Sequence, residues 1–143
     1  MARIKLTITG NRLDTVTIPV RITDINYGNH VGNDAIVRML HEARVQWLHK
    51  NGYTELDFAG CSLIQGDLAV EYLNESFYGD TLIIEMFASD CTRVSFDLLY
   101  EIHTIRNDQQ IPIARAKTGL LCFDYQSRKV CSMPDTVKKL LGG

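Results

Sequence analysis

Between Thr15 and Ile22 the apolar residues Val16, Ile18, Val20 and Ile22 alternate with other types. That period of two predicts a strand. Pro19 within it has no backbone donor, so an edge or a bulge is expected there. After Asn33 the period changes. Ile36, Leu40, Ala43 and Trp47 follow the i, i+4, i+7, i+11 spacing of one helical face, and Val37 and Leu48 widen the stripe. The helix is predicted to run to about Lys50, capped at its start by the side chain of Asn33 or Asp34. Lys50 suits its negative end, and Gly52 can close it in the left-handed conformation.

Strands follow almost without interruption. Leu63–Leu73 is the first, and Thr81–Ser89 comes after the turn residues Gly79 and Asp80. In Arg93–Ile105, Val94, Phe96, Leu98, Tyr100 and Ile102 face one way, while Arg93, Ser95, Asp97, Glu101 and His103 face the other. Asn107 and Asp108 mark a turn, Ile111–Phe123 continues the meander, and Lys129–Ser132 returns as a short hairpin strand. Pro134 opens a short C-terminal helix. A helix with a Trp-bearing apolar face must bury it against the sheet. The expected architecture is α+β: a curved antiparallel sheet wrapped around one long helix, as a single domain over residues 1–143.

Composition narrows the class. A chain of 143 residues can bury roughly two-thirds of its unfolded surface. Its 15 basic and 17 acidic residues leave a formal net charge of -2, which argues against charge-driven nucleic-acid binding. The longest apolar run is Leu120–Phe123, too short to span a membrane. Met1-Ala2-Arg3-Ile4-Lys5 lacks an apolar stretch of the kind that directs secretion, so a cytoplasmic location is expected. Cys61, Cys91, Cys122 and Cys131 are scattered without a C-x-x-C pair and are expected to be reduced. His41-Glu42 would need a second His at position 45 for a zinc motif, and that residue is Val45; no metal is expected.

The densest polar cluster is Asp24–Asn33, just before the helix. A helix N-terminus presents unpaired N–H groups and partial positive charge, so a carbonyl placed there is polarised and an oxyanion stabilised. Gly28 and Gly32 allow close backbone approach to a ligand. The order Asp24-x-Asn26-x-x-Asn29-His30-Val31-Gly32-Asn33, followed by Glu42-Ala43-Arg44 in the helix, resembles the hotdog-fold thioesterases of the 4-hydroxybenzoyl-CoA thioesterase type. These carry D-x-D-x-x-G-H-V-N-N or a near variant before a long helix. Tyr72-Leu73 with Gly79-Asp80, Ala114–Thr118, Phe123-Asp124 and Met133-Pro134 resemble later parts of that pattern, so the likeness spans about residues 15–135.

The resemblance implies a hotdog fold that acts on acyl thioesters, usually of coenzyme A, with no cofactor beyond the CoA of the substrate. It implies a site between subunits, hence a homodimer or a dimer of dimers. One departure stands out: Asn26 occupies the place of the family's second Asp, and an amide is neither a base nor a good nucleophile. Asp24-x-Asn26 resembles the variant of plant acyl-carrier-protein thioesterases, although His30 stands two places later than their His.

The candidate catalytic residues are Asp24 and Glu42 as carboxylates that activate water, with Asn26 and His30 to position it or shuttle protons. Their bland counterparts are turn-forming side chains for Asp24 and Asn26, a loop-to-helix bond for His30, and an ion pair with Arg38 for Glu42. Substrate-binding candidates are Gly28, Gly32 and Asn33 at the helix start, Tyr27 at the acyl pocket, and Arg93 and Lys117 for the CoA phosphates. The expected activity is thioester hydrolysis. The rival from another class is a non-catalytic acyl-CoA-binding module, consistent with Asn26 replacing the acid. A hotdog dehydratase would need a His–acid pair, and His103 stands alone on its strand.

Overall fold

The computed structural model describes residues 2–142, so Met1 and Gly143 lie outside the described residues. In chain order come β1 (Asn11–Pro19), a 3-10 turn (Ile22–Asp24), α1 (Asn33–Lys50), β2 (Ser62–Tyr72), β3 (Thr81–Ser89), β4 (Ser95–Arg106), β5 (Gln109–Asp124), β6 (Lys129–Val130) and α2 (Asp135–Leu140). The strands form one antiparallel sheet in the order β1-β3-β4-β5-β2, with β6 added on the end of β5. The α+β arrangement is the one the pattern predicts, and α1 is the helix it wraps.

The α1 stripe is buried as its spacing requires, with Ile36, Met39, Leu40, Ala43, Trp47 and Leu48 all in the core. Facing them are alternate residues of the sheet, among them Ile84, Met86, Phe96, Leu98, Tyr100 and Ile102. Each large aliphatic or aromatic side chain removed from water contributes about 1.5–3 kcal/mol. Near the C-terminal end of the helix, Phe58 meets Trp47, Tyr53 and Phe96 at centroid separations of 6.3, 5.3 and 6.0 Å.

Several boundaries differ from the pattern. β1 begins at Asn11 rather than Thr15, because Asn11 and Arg12 pair with Ala88 and Phe87 of β3 across a bulge. Polar residues there give no alternating signal. β1 also ends at Pro19: Val20 still donates to the Asp80 carbonyl at 2.9 Å, and the chain then turns so that Ile22 is exposed. The helix cap is Gly32, with no side-chain cap bond, and Asn33 and Asp34 are already helical. Gly52 closes the other end with φ +78°, as expected. A bulge in β5, opposite Ile102 and His103, leaves the alternation of β4 intact. His103 keeps the side of the sheet that Glu85 and Glu101 share, yet it is buried, its Nδ1 without a hydrogen-bond partner among the described residues and 4.0 Å from Glu85.

The outer face of the sheet is charged, with Lys117 between Asp67 and Asp97, and Arg115 between Glu71 and Glu101. All four cysteines are free, and the Cys61 thiol, which donates to the Phe58 carbonyl at 3.3 Å, has Cys122 and Cys131 as neighbours. Among the described residues no helix is long and apolar enough to cross a membrane.

Candidate active site at the start of the long helix

The segment between β1 and α1 is a tight loop tied at both ends. Asp24 accepts the Arg21 backbone N–H at 2.8 Å and its guanidinium at 3.3 Å, with its own side chain 2% exposed. Ile25 and Val31 form an isolated bridge, Asn26 N–H donates to the His30 carbonyl at 2.9 Å, and Asn29 N–H donates to the Asn26 carbonyl at 3.1 Å. Asn29 takes the left-handed conformation at φ +67°, which Asn tolerates and which closes the turn. Asn26 Oδ1 accepts the Gly28 N–H at 2.9 Å, a turn-forming bond.

Gly28 and Gly32 do not supply the unusual backbone angles. Gly32 has φ -70°, and the positive φ of this loop belongs to Asn29. Their small size matters instead. A Cβ on Gly28 would sit 3.2 Å from His30 Nε2, and one on Gly32 would sit 2.5 Å from Asp34 Oδ1.

Beyond this loop, at the start of α1, lies a cavity of about 250 Å³ lined in part by His30, Asn33, Tyr72 and Glu75, with apolar wall from Ile36 and Ile113. Gly32 N–H is used by the Asp24 carbonyl at 3.1 Å and Val31 N–H by the Ser76 carbonyl at 2.8 Å. The Asn33 N–H has no acceptor among the described residues. It points from the positive end of an 18-residue helix. Tyr72 Oη donates to the Asn33 carbonyl at 3.1 Å and fixes that edge of the mouth.

The opposite wall is the loop between β2 and β3, where the sequence marks the Gly79-Asp80 turn but singles out none of Asn74, Glu75 and Ser76. His30 Nε2 stands 3.7 Å from Glu75 Oε1. The Glu75 backbone is held: Arg106 Nη2 donates to its carbonyl at 3.1 Å, and Asn74 Nδ2 donates to the Pro112 carbonyl at 2.7 Å. Asp80 gathers the rest of the loop by accepting the Phe77 N–H at 2.9 Å, the Ser76 hydroxyl at 3.1 Å and Arg106 Nη2 at 2.8 Å. The Arg106 guanidinium holds the Asp80 carboxyl below its ordinary range, and Asp80 in turn raises Arg106. Glu75 carried no signal of its own, since one carboxylate in a polar loop has no periodicity.

Other expected site residues lie elsewhere. Tyr27 is fully exposed at the tip of the loop rather than in a pocket. Glu42 is exposed on α1, accepts from Gln46 at 2.7 Å, and borders a groove with Pro19, Arg21 and Met39. Its expected partner Arg38 pairs with Asp34 at 2.9 Å instead. Arg93 donates to Ser132 Oγ at 2.7 Å, before β4 begins and beside Met133 and Lys138. Lys117 is on the outer face, bound to Asp67 at 2.9 Å. Both basic groups point away from the cavity because strand register and the β4 entry fix them there.

A family model described as the thioesterase-like superfamily matches residues 20–141. Among solved structures, a proposed thioesterase from Pseudomonas aeruginosa is 25% identical, with TM-score 0.81 over 90% of this chain and 98% of that one. A 1,4-dihydroxy-2-naphthoyl-CoA thioesterase from Synechocystis superposes with TM-score 0.79 at 21% identity, over 90% of this chain and 94% of that one. The 4-hydroxybenzoyl-CoA thioesterase of Pseudomonas sp. strain CBS-3 gives 0.78 at 17% identity, over 90% of this chain and 99% of that one. No curated protein sequence matches the chain.

Proposed function

The chain belongs to the thioesterase-like superfamily, and on that premise we propose that it hydrolyses acyl thioesters of coenzyme A or of an acyl carrier protein to free acid and thiol. The observation that carries this is the Asn33 N–H at the start of α1, without an acceptor among the described residues, in a residue that lines one cavity with His30. A thioester carbonyl placed there accepts the Asn33 N–H at the positive helix end. The charge that develops on its oxygen during attack is stabilised by the same group, which is where electrostatic preorganisation acts most strongly. His30 lines the cavity and can carry a proton between water and the leaving sulfur.

Asp24 and Asn26 act by shaping the loop: each has an oxygen committed to a backbone N–H, so neither is assigned the base. Glu42, Arg93 and Lys117 are assigned no role in this cavity. The reaction needs water and no further cofactor. We also propose a homodimer or a dimer of dimers, supported by the open outer edge of β2, where Gln65–Leu68 are all exposed. Sedimentation of the purified chain tests that.

A second reading has its own support. Asn26, at the position where the resembling proteins carry Asp, fits a module that binds acyl-CoA without turnover. Free-thiol release from a panel of short, long and aromatic acyl-CoAs separates the two. Turnover establishes hydrolysis, whereas binding without release on any member leaves the binding module.

A further inference from the structure

We infer that Glu75, paired with His30, is the general base that activates water at the start of α1. The inference rests on the thioester-hydrolase reading above and names the group that reading leaves open. Glu75 is the carboxylate among the residues that line the cavity. The other candidates are spent or distant: Asp24 is buried against Arg21, and Glu42 lies in a separate groove on α1. The Glu75 side chain is 64% exposed, makes no hydrogen bond among the described residues, and has His30 Nε2 at 3.7 Å as its ion-pair partner.

The backbone beneath it is not free. Arg106 holds its carbonyl, Val31 N–H holds the next one at Ser76, and Leu73 and Asn74 N–H both donate to the Ile113 carbonyl. A carboxylate free to move on a pinned backbone, across a cavity from an unpartnered amide, has the arrangement that general-base catalysis requires.

The step balances as follows. Glu75 takes a proton from water as the water oxygen bonds to the carbonyl carbon, and the C=O pair moves onto the oxygen held by Asn33 N–H. The C–S bond then breaks with its pair on sulfur. The proton on Glu75 passes through His30 to that sulfur, so acid and thiol leave and Glu75 is restored.

The test is steady-state thiol release by Glu75→Gln beside the parent, with binding of a non-hydrolysable acyl-CoA thioether followed by calorimetry. The expected result is a kcat lower by about 100-fold or more with little change in KM or in thioether affinity. Glu75→Ala should recover part of its rate in added formate, which a structural role would not produce. A Glu75→Gln rate within about threefold of the parent overturns the role of Glu75 while hydrolysis stands. A parent without turnover overturns the hydrolase reading and this inference together.

Discussion

The two ends of α1 are built on opposite terms. At its N-terminus, two polar loops meet around a cavity: their backbones are tied by hydrogen bonds, while the His30 and Glu75 side chains and the Asn33 amide keep bonding capacity unspent. At its C-terminus, Trp47 and Phe58 are fully buried, Cys61 donates to the Phe58 carbonyl at 3.3 Å, and Val137 of α2 closes the core nearby. The far end therefore carries packing energy and the near end carries reactivity. A helix joins them, and its dipole puts partial positive charge at the near end and partial negative charge at the far one.

The largest test of that division is Phe58→Ala. Losing a fully buried aromatic ring that touches three others should cost about 3–5 kcal/mol of stability in urea unfolding. The molecules that remain folded should keep the parental kcat. A parallel fall in kcat would show that the ends are not independent.

Arg106→Gln strikes the near end. It removes the partner of Asp80, whose side chain is 9% exposed, and the donor to the Glu75 carbonyl. Asp80 keeps its bonds from Ser76 and Phe77, and losing the cationic partner of a buried carboxylate costs about 1–3 kcal/mol. A displaced Glu75 should cost more in rate than in stability, about tenfold in kcat. Thermal unfolding beside thiol release reads both.

The two ends should also respond to opposite extremes of pH. Burial, and then the neighbouring Cys122 and Cys131, raise the Cys61 thiol above its ordinary value of 9.0. The unfolded chain ionises there while the folded one does not, so stability present below that value is lost as pH rises through it, by up to about 1.4 kcal/mol per unit. Asp80 is depressed below 3.8 by Arg106, so its contribution is present above that value and lost as pH falls below it. Urea midpoints across pH should show Cys61→Ala with a shallower alkaline decline and an unchanged acid limb, and Asp80→Asn with the reverse.

The same contrast explains what the sequence disclosed. The far end and the helix were legible because burial imposes a period: Ile36, Leu40, Ala43 and Trp47 announce their face, and α1 ends at Lys50 as its pattern predicts, although its cap is Gly32 rather than Asn33 or Asp34. The start of β1 was not, because Asn11 and Arg12 pair through backbone with β3 and owe nothing to hydrophobic alternation. The loop of Asp24–Asn33 was recognisable by composition and order, yet not which of its polar groups are committed. Asp24 and Asn26 are consumed by local turns with Arg21 and Gly28, and residue type does not record hydrogen-bond occupancy. Glu75 reaches His30 only through the β2–β3 turn and the Arg106 clamp, a contact between segments far apart in the chain.

The smallest expected effect is at Glu42, and it sharpens the division most. Its position on α1, after the first turns, puts it beyond the reach of the helix N-terminus, and its Oε2 is occupied by Gln46 at 2.7 Å on an exposed face. Replacing one surface carboxylate by an amide that keeps its shape leaves the core untouched, since Arg38 is already paired with Asp34. Glu42→Gln should change unfolding by no more than about 0.5 kcal/mol and leave kcat as it is. A loss of tenfold or more in thiol release would place chemistry along the flank of α1, beside Pro19 and Met39, and the assignment of reactivity to one end of the helix would fail.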